Sequence, residues 1–380
     1  MIFKNFLSIK KNKIIKKDLL NLLKKQPKLF ETLKPNYQYS YSKKIISKYQ
    51  KFDNIRIIGM GGSVLGTEAI YNFLKKKIKK KFTFVNNLNS NADYFKDKNI
   101  NLNLIISKSG NTLETIANAN TLIKSKDSNI VITENKNSYL TDLAKKLKAE
   151  IFEHKNYVGG RYSVLSEVGM LPAELMNLNE NKFKQFNNLI KNKTFTNNLV
   201  NNVAATLNLI KSGKYTSVIL NYDEKSENLF KWYQQLIAES LGKKSKGILP
   251  IISSMPKDNH SLMQLYLDGP KKIFYTFFNV LDNRTIQLND RSIISSHKYL
   301  KNQSIERIKQ SQMLATEKVF ASEKIPFRSF RVSKRDEQSL GELFCFFILE
   351  TILLGRALKV NPFDQPSVEL IKKETKKILI

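Results

Sequence analysis

Cysteine is nearly absent from this sequence of 380 residues, in which Cys345 is the single example. One cysteine excludes a disulfide within the chain and agrees with a reducing compartment, so a cytoplasmic location is expected. Cys345 lies in the apolar run LFCFFILETILLG, where a buried core position is favoured over a reactive nucleophile.

Long apolar runs are also missing. The longest, Leu343 to Leu354, contains Glu350 and is shorter than the roughly 20 residues that a membrane-spanning helix needs. The first residues, MIFKNFLSIKKNKIIKKDLL, contain no continuous apolar segment and no cleavage site of small residues. We therefore expect neither a secretory signal nor association with a membrane.

Histidine is scarce as well, since the chain contains only His154, His260 and His297. None of them is spaced with a carboxylate as a metal site requires, so no metal is expected. The sequence also lacks the G-x-S-x-G motif around a nucleophilic serine, which disfavours a Ser-His-Asp hydrolase.

Acidic residues are too few to balance the basic ones. The chain has 33 Asp and Glu against 64 Lys and Arg, a formal net charge of +31. The lysines are spread along the whole chain, and no finger spacing, aromatic RNA-binding box or Arg-rich arm accompanies them. No specific nucleic-acid partner is therefore expected, although a basic field draws anionic metabolites towards a cleft.

Short β-branched runs alternate regularly with helical segments from residue 54 onward. This alternation predicts an α/β fold of doubly wound, parallel or mostly parallel sheets flanked by helices. The predicted strands are 54–59, 82–86, 102–106, 129–133, 149–153, 217–221, 247–252, 273–279 and one in IPFRSFRV. The predicted helices are 64–79, 112–125, 138–148, 226–241, 259–268 and two that close the chain, 337–358 and 366–379.

The predicted order of elements divides the chain into four parts. We expect a helical N-terminal segment at 1–50, a first domain with phosphate loops at 51–195 and a second domain at 196–350. A C-terminal turn and helix of the active site are expected at 351–380. No linker rich in glycine and serine separates the two blocks, which predicts that the domains pack tightly.

The first distinctive motif is the glycine loop in IRIIGMGGSVLGTEAI. Glycines at a strand-to-helix turn let the backbone approach an anion at the helix N-terminus. Val64 stands where a dinucleotide fingerprint needs its third glycine, and Thr67-Glu68 replaces the Lys-Ser of a nucleotide P-loop. The loop is compatible with a small phosphate at Gly62 and Ser63, but a tight turn without a ligand explains it equally well.

A second polar turn follows the strand at 102–106, in LIISKSGNTLETIANA. Hydroxyls, one ammonium and helix N–H groups can together hold a phosphate, whereas a single Ser/Thr-rich turn is usually a helix cap. Ligands of open α/β sheets bind beyond the carboxyl ends of the strands, so two such turns favour a bound phosphate. The candidate residues of this turn are Ser107, Lys108, Ser109 and Thr112.

Four later stretches are dense in polar groups: VGGRYSVLSEVG, QQLIAESLGKKSKG, PKDNHSLMQLYLDG and NPFDQPSVELIKK. They contain Arg161, Glu239, His260, and Gln365 with Lys372. Taken singly, each residue has an ordinary structural explanation, such as a salt bridge, a solvated helix end or a surface position.

Taken together and in this order, the motifs resemble the phosphoglucose isomerase family, whose members are built from two sugar-isomerase (SIS) domains. The motifs are IGMGGSVLG, SKSGNTLET, GGRYSVLSEVG, AESLGKKSKGILPI, DNHSLMQLYLDGP and NPFDQPSVELIKK, so the resemblance covers most of the chain. It implies reversible isomerisation of glucose 6-phosphate and fructose 6-phosphate through ring opening and a cis-enediolate. It also implies a reaction without a cofactor, in a homodimer whose active sites are shared between subunits.

The resemblance assigns a role to each candidate residue. Glu239 would be the base that moves a proton between C2 and C1, and Arg161 would stabilise the enediolate. His260, reaching the site from the other subunit, would open the sugar ring together with Lys372. The phosphate would be bound by Gly62, Ser63, Ser107, Lys108, Ser109, Thr112 and Gln365.

The sequence departs from the family pattern in three places. Asn89 stands where many members have an acid, and the segments 1–50 and 282–324 carry little of the pattern. Two alternatives stay open: an isomerase that also accepts mannose 6-phosphate, and a regulatory module that binds a sugar phosphate without catalysis. A regulatory module would not need Glu239, Arg161 and His260 together.

Overall fold

The structure, a computed structural model, describes residues 2–6, 13–88, 102–124, 126–281 and 286–380. Asn89 and part of the segment 282–324 lie outside the described residues. The described strands form two five-stranded sheets. They are β1 (Ile2–Lys4), β2 (Asn54–Gly59), β3 (Lys81–Val85), β4 (Leu102–Ile106), β5 (Ser128–Thr133), β6 (Glu150–Glu153), β7 (Thr216–Asn221), β8 (Leu249–Ser254), β9 (Ile273–Val280) and β10 (Phe327–Val332).

Helices connect these strands and cover both sheets. The described α-helices are α1 (Lys13–Lys25), α2 (Lys43–Ser47), α3 (Leu65–Phe73), α4 (Leu113–Leu122), α5 (Tyr139–Leu147), α6 (Glu167–Leu175), α7 (Phe186–Lys191), α8 (Lys193–Lys211), α9 (Glu227–Leu241), α10 (Met263–Asp268), α11 (Ile305–Ser322), α12 (Glu337–Ala357) and α13 (Val368–Leu379). None of the helices described is both long and apolar enough to span a membrane.

The first sheet has the strand order β3-β2-β4-β5-β6 and is parallel throughout. Every residue of its central strand β4 is buried, because helices cover both faces, which explains the nearly continuous apolar run LNLII. Gly59 at the end of β2 pairs in register with Ile106 at the end of β4. The two polar turns that follow these strands therefore emerge at the same edge of the sheet.

The second sheet has the order β1-β10-β9-β7-β8, in which only β1 is antiparallel to its neighbour. The prediction of a helical segment at residues 1–50 did not include β1. Three residues are too few for a detectable periodicity, and β1 forms because the edge of β10 is available to it. Phe3 lies opposite Phe330 in this pairing, with ring centroids 4.6 Å apart.

A shared layer of helices lies between the sheets and forms the largest core. Ile57 and Leu104 of the first sheet belong to the same apolar cluster as Phe278 and Phe330 of the second. The outer faces are covered separately, by α4 and α5 on the first sheet and by α10 and α11 on the second. Helices on both faces of mostly parallel sheets confirm the predicted α/β fold class.

Glu350, which interrupts the longest apolar run, is 1% exposed and compensated by buried polar groups. Its Oε1 pairs with Arg328 of β10, and its Oε2 accepts a hydrogen bond from Tyr233 Oη at 3.1 Å. A buried carboxylate costs much less free energy when it is paired in this way, so the apolar helix tolerates it.

Two of the predicted domain boundaries fall inside helices. The boundary after residue 195 lies in α8, and the boundary after residue 350 lies in α12, which continues to Ala357. The residues of α12 from Leu343 to Gly355 are all buried between the other helices. The chain therefore passes through the shared core immediately before it reaches the C-terminal turn, residues 358–367, which precedes α13.

Candidate active site

The glycine loop after β2 packs directly on the glycine pair that precedes Arg161. Gly61 has a φ of +52°, a left-handed conformation that residues with a side chain rarely adopt. A Cβ atom on Gly62 would lie 2.2 Å from the carbonyl carbon of Gly160, so the backbone contact requires glycine. Ser63 follows this contact and is 9% exposed. The glycine at position 62 is therefore explained by packing even without a ligand.

The turn between β4 and α4 brings the predicted hydroxyls together. Ser107 Oγ and Thr112 Oγ1 are hydrogen-bonded at 2.8 Å, and Ser109 Oγ accepts from the backbone N–H of Asn111 at 3.2 Å. Thr112 is the N-cap of α4, but its side chain makes no capping bond. The first turn of α4 can therefore offer N–H groups to an anion beside these hydroxyls.

Lys108 lies in the same turn, with about a third of its side chain exposed. Its Nζ donates to the carbonyl oxygen of Asn156 at 2.8 Å and lies 3.6 Å from Glu134 Oε1. Partial burial lowers the pKa of the Lys108 ammonium, and the neighbouring Glu134 opposes this effect. Lys108 is the one basic residue of the turn 107–112 and lies among the hydroxyl side chains of that turn.

Arg161 joins the two halves of the site. It lies in a 3-10 helix, is 2% exposed, and has an acceptor for each of the five N–H groups of its guanidinium. The acceptors are Ser240 Oγ (2.8 Å), Glu239 Oε2 (3.0 Å), Gln365 Oε1 (2.7 Å) and the carbonyl oxygens of Pro362 (2.8 Å) and Asp364 (2.9 Å). One buried cation therefore connects α9 to the C-terminal turn.

Glu239 lies near the C-terminal end of α9 and is held from both sides. Arg161 binds its Oε2, and Gln235 Nε2 donates to its Oε1 at 2.9 Å. About 31% of its side chain is exposed, so the carboxylate is positioned and still accessible. Gln235 also lies against the glycine loop, because a Cβ atom on Gly61 would approach its Nε2 to 2.7 Å.

Gln235 was not among the residues predicted from the sequence. A signal was present, because Gln235 precedes Glu239 by four positions and so lies on the same face of a helix. A glutamine on a helix carries no distinctive chemistry by itself. The spacing alone therefore did not predict a functional role for Gln235.

The C-terminal turn is fastened to the end of α9 by Lys243, another residue that was not predicted from the sequence. Its Nζ donates to the carbonyl oxygen of Asn361 at 2.5 Å and pairs with Asp364 Oδ1 at 3.1 Å. Pro362 is buried in this turn, whereas Gln365 is exposed. The turn thus forms a wall of the site through backbone carbonyls that Arg161 and Lys243 hold in place.

His260 ends the short 3-10 helix Lys257–His260 and is exposed. Asp258 fixes this segment, because its Oδ2 accepts from Ser253 Oγ and from the backbone N–H of Ser254, both at 2.8 Å. No hydrogen bond within the described residues links His260 to Arg161 or to the C-terminal turn. The imidazole is presented to the outside of a single chain.

Lys372 lies on α13, a helix in which no residue is buried. Its Nζ pairs with Glu369 Oε1 at 2.6 Å, and its side chain is 65% exposed. The structure therefore brings Arg161, Glu239 and Gln365 into direct hydrogen bonding. Within the described part of the chain, no hydrogen bond or ion pair joins His260 or Lys372 to these three.

This arrangement combines two chemical capabilities. Hydroxyls and N–H groups at the start of α4 suit a phosphate, and a held carboxylate beside a guanidinium suits proton transfer next to a carbonyl. Among the residues that the structure describes, no group of three or more His, Cys, Asp or Glu side chains is placed to hold a metal ion.

The sequence matches the family model described as Phosphoglucose isomerase over residues 9–380. It is 33% identical over 347 residues to the glucose-6-phosphate isomerase of Methanocaldococcus jannaschii, covering 86% of this chain and 85% of that protein. It is 31% identical over 352 residues to the glucose-6-phosphate isomerase of Mycoplasmopsis synoviae, covering 85% of this chain and 81% of that protein.

The fold is similar to solved structures. A hypothetical protein of Thermus thermophilus superposes with a TM-score of 0.82 at 22% identity, covering 96% of this chain and 94% of that chain. A glucose-6-phosphate isomerase of Chlamydia trachomatis superposes with a TM-score of 0.72 at 19% identity, covering 88% of this chain and 71% of that chain. These two structures support the assignment of the fold, and the sequence matches confirm the family resemblance.

Proposed function

Because this chain belongs to the phosphoglucose isomerase family, we propose that it interconverts glucose 6-phosphate and fructose 6-phosphate in glycolysis and gluconeogenesis. The observation that carries this function is the Glu239 carboxylate held between Arg161 and Gln235, at 3.0 and 2.9 Å, with its side chain still partly exposed. A carboxylate that is fixed and accessible suits the removal and return of one proton.

Glu239 is the proposed base that carries the proton between C2 and C1. Its two oxygens accept from different donors, so the carboxylate keeps one orientation while the substrate changes from aldose to ketose. Arg161 is the proposed partner of the enediolate, since its buried positive charge opposes the negative charge that develops on the substrate oxygens. Proton transfer beside a carbonyl needs no electron sink, so the proposed reaction uses no cofactor.

The sugar phosphate is proposed to lie over the turns after β2 and β4. Hydroxyls, helix N–H groups and one ammonium match the three acceptor oxygens of a phosphate. Gln365 would add an amide N–H from the C-terminal turn. The proposed phosphate-binding residues are Gly62, Ser63, Ser107, Lys108, Ser109, Thr112 and Gln365.

Ring opening is assigned to His260, acting with Lys372. A histidine can give or take a proton near neutral pH, which ring opening requires. Both residues are exposed in the single chain, which supports a site completed by a second subunit. The proposal is therefore a homodimer with shared active sites, in the cytoplasm, without specific nucleic-acid or membrane partners.

The alternatives from the sequence are not favoured. A regulatory module without catalysis has no use for a glutamate held by two donors beside an arginine, and the relatives from M. jannaschii and M. synoviae are named isomerases. Nothing described in the site favours mannose 6-phosphate, which differs from glucose 6-phosphate in the configuration at C2.

A coupled assay of the purified protein tests the function. Fructose 6-phosphate should be converted to glucose 6-phosphate, detected by an NADP-dependent dehydrogenase, and mannose 6-phosphate should yield no fructose 6-phosphate. Folded protein that leaves fructose 6-phosphate unchanged would contradict the proposed function. Comparable turnover of both hexose phosphates would instead identify a bifunctional enzyme. Glu227→Gln, an exposed substitution on the same helix as Glu239, is the activity control.

A further inference from the structure

Every N–H group of the Arg161 guanidinium is hydrogen-bonded to another group of the protein. Each of its five N–H groups has an acceptor in the structure, at distances from 2.7 to 3.0 Å. An arginine in this state attracts a negatively charged oxygen but has no N–H left to donate to it. Direct bonding to an enediolate oxygen requires that one of the present acceptors leave first.

Three of the acceptors are held firmly by other contacts. Ser240 Oγ is buried and lies 2.9 Å from Tyr162 Oη, and the carbonyl oxygen of Pro362 also accepts from Tyr162 Oη at 2.9 Å. The carbonyl oxygen of Asp364 belongs to the turn that Lys243 fastens to α9. Their displacement would require movement of buried residues or of the backbone.

The two remaining acceptors share Nη1 of Arg161. Glu239 makes a charge-assisted bond and is held in addition by Gln235, so it is the stronger partner. Gln365 is a neutral acceptor with an exposed side chain, and the bond to Arg161 is the one hydrogen bond that the described residues show for its amide. The hydrogen bond to Gln365 is therefore the one that costs the least free energy to break.

We propose that Gln365 is a positioning residue that blocks an N–H of Arg161 until the phosphate of the substrate draws its amide away. When the Gln365 amide turns to donate its N–H to a phosphate oxygen, its Oε1 leaves Arg161 Nη1. The freed N–H then binds the enediolate oxygen. This inference rests on the proposed function, and it makes phosphate binding a condition for full activity of Arg161.

The test supplies the reacting carbons and the phosphate-like anion as two separate molecules. Exchange of the C2 hydrogen of D-erythrose, an aldose without phosphate, is followed by NMR in D2O with and without phosphite dianion. In the unaltered protein, saturating phosphite should accelerate the exchange by at least about ten-fold, because occupation of the phosphate site frees the N–H. If the protein isomerises fructose 6-phosphate but phosphite gives no acceleration, the inference fails while the proposed function stands.

Gln365→Leu distinguishes the exchange of a hydrogen bond from simple phosphate binding. In this variant, the N–H of Arg161 is free from the start, so exchange without phosphite should be faster than in the unaltered protein. Saturating phosphite should then accelerate it by less than about two-fold. Gln365→Glu, whose carboxylate would pair permanently with Arg161, should exchange more slowly than the unaltered protein and should not respond to phosphite.

Two outcomes would overturn the proposal. Full acceleration of Gln365→Leu at a raised phosphite concentration would show that Gln365 only binds the phosphate. A loss of exchange without phosphite in this variant, with an unchanged melting temperature, would show that the Gln365 bond supports Arg161 and does not block it. Gln338→Leu, which replaces an exposed glutamine on α12, is the matched control and should behave like the unaltered protein.

Discussion

Gly62 and Gly160 are in direct backbone contact. A Cβ atom on Gly62 would lie 2.2 Å from the Gly160 carbonyl carbon and 2.6 Å from the backbone nitrogen of Arg161. The contact fixes the glycine loop of the first sheet to the residue that binds Glu239. The position of the proposed base is therefore linked to the packing of two glycines.

Gly62→Ala should lower the free energy of unfolding by about 1–3 kcal/mol, because a methyl group against backbone atoms forces the loop to move. Isomerase turnover should fall with it, since the loop lies against Gln235 and Arg161. Urea unfolding and the coupled assay measure the two effects. Gly159→Ala is the control, because its φ is −70° and its Cβ would meet only Tyr162, at 3.4 Å. Equal stability of the two variants would show that the contact is not tight in solution.

Glu239→Gln should abolish nearly all isomerase activity while sugar-phosphate binding survives. Glutamine keeps the shape of the side chain but cannot accept the C2 proton. Turnover is measured by the coupled assay and binding by calorimetry, with Glu227→Gln as the control. Retention of more than about a tenth of the turnover, a deficit below ~1.4 kcal/mol, would rule out Glu239 as the base.

His154 should make the stability of the protein depend on pH. Burial lowers its pKa to about 4 in the folded chain, against about 6.5 in an unfolded chain. Between these values the unfolded state binds the proton and the folded state does not, so stability falls as pH decreases from 6.5 to 4. His154 lowers the free energy of unfolding over this pH range by at most about 3 kcal/mol. Urea unfolding at several pH values measures it.

The contribution of His154 is isolated by comparison with His154→Gln, which should show a shallower decline over the same pH range. His297→Gln, which replaces an exposed histidine, is the matched control variant. A parallel decline in His154→Gln and the unaltered protein would mean that His154 titrates normally in the folded state.

His260 should be needed for cyclic substrates and should act across the subunit boundary. His260→Ala should slow turnover of cyclic glucose 6-phosphate strongly and spare proton exchange on open-chain erythrose 4-phosphate. Mixing inactive Glu239→Gln and His260→Ala dimers should restore activity, because each heterodimer contains one site with both residues intact. A double variant mixed with Glu239→Gln should restore none. If subunits exchange and no activity returns, His260 acts within its own chain.

Local sequence patterns predicted most of the fold because they reflect local constraints. Strands such as β4 and β7 are β-branched runs bounded by turn residues, and helices such as α9 and α12 begin and end within a few residues of their predicted limits. The order of the motifs also indicated the family, which the family match confirms. The short strand β1 was missed because its formation depends on a distant partner strand.

The sequence by itself determined the α/β architecture, the family and the residue types available for the chemistry. Only the tertiary structure decided which of these residues bind each other. Arg161 lies 78 positions from Glu239 and 204 positions from Gln365. No local sequence pattern therefore predicts that one guanidinium donates hydrogen bonds to both. Hydrogen bonds depend on distance and direction in space, and the shared helical core brings these distant segments together.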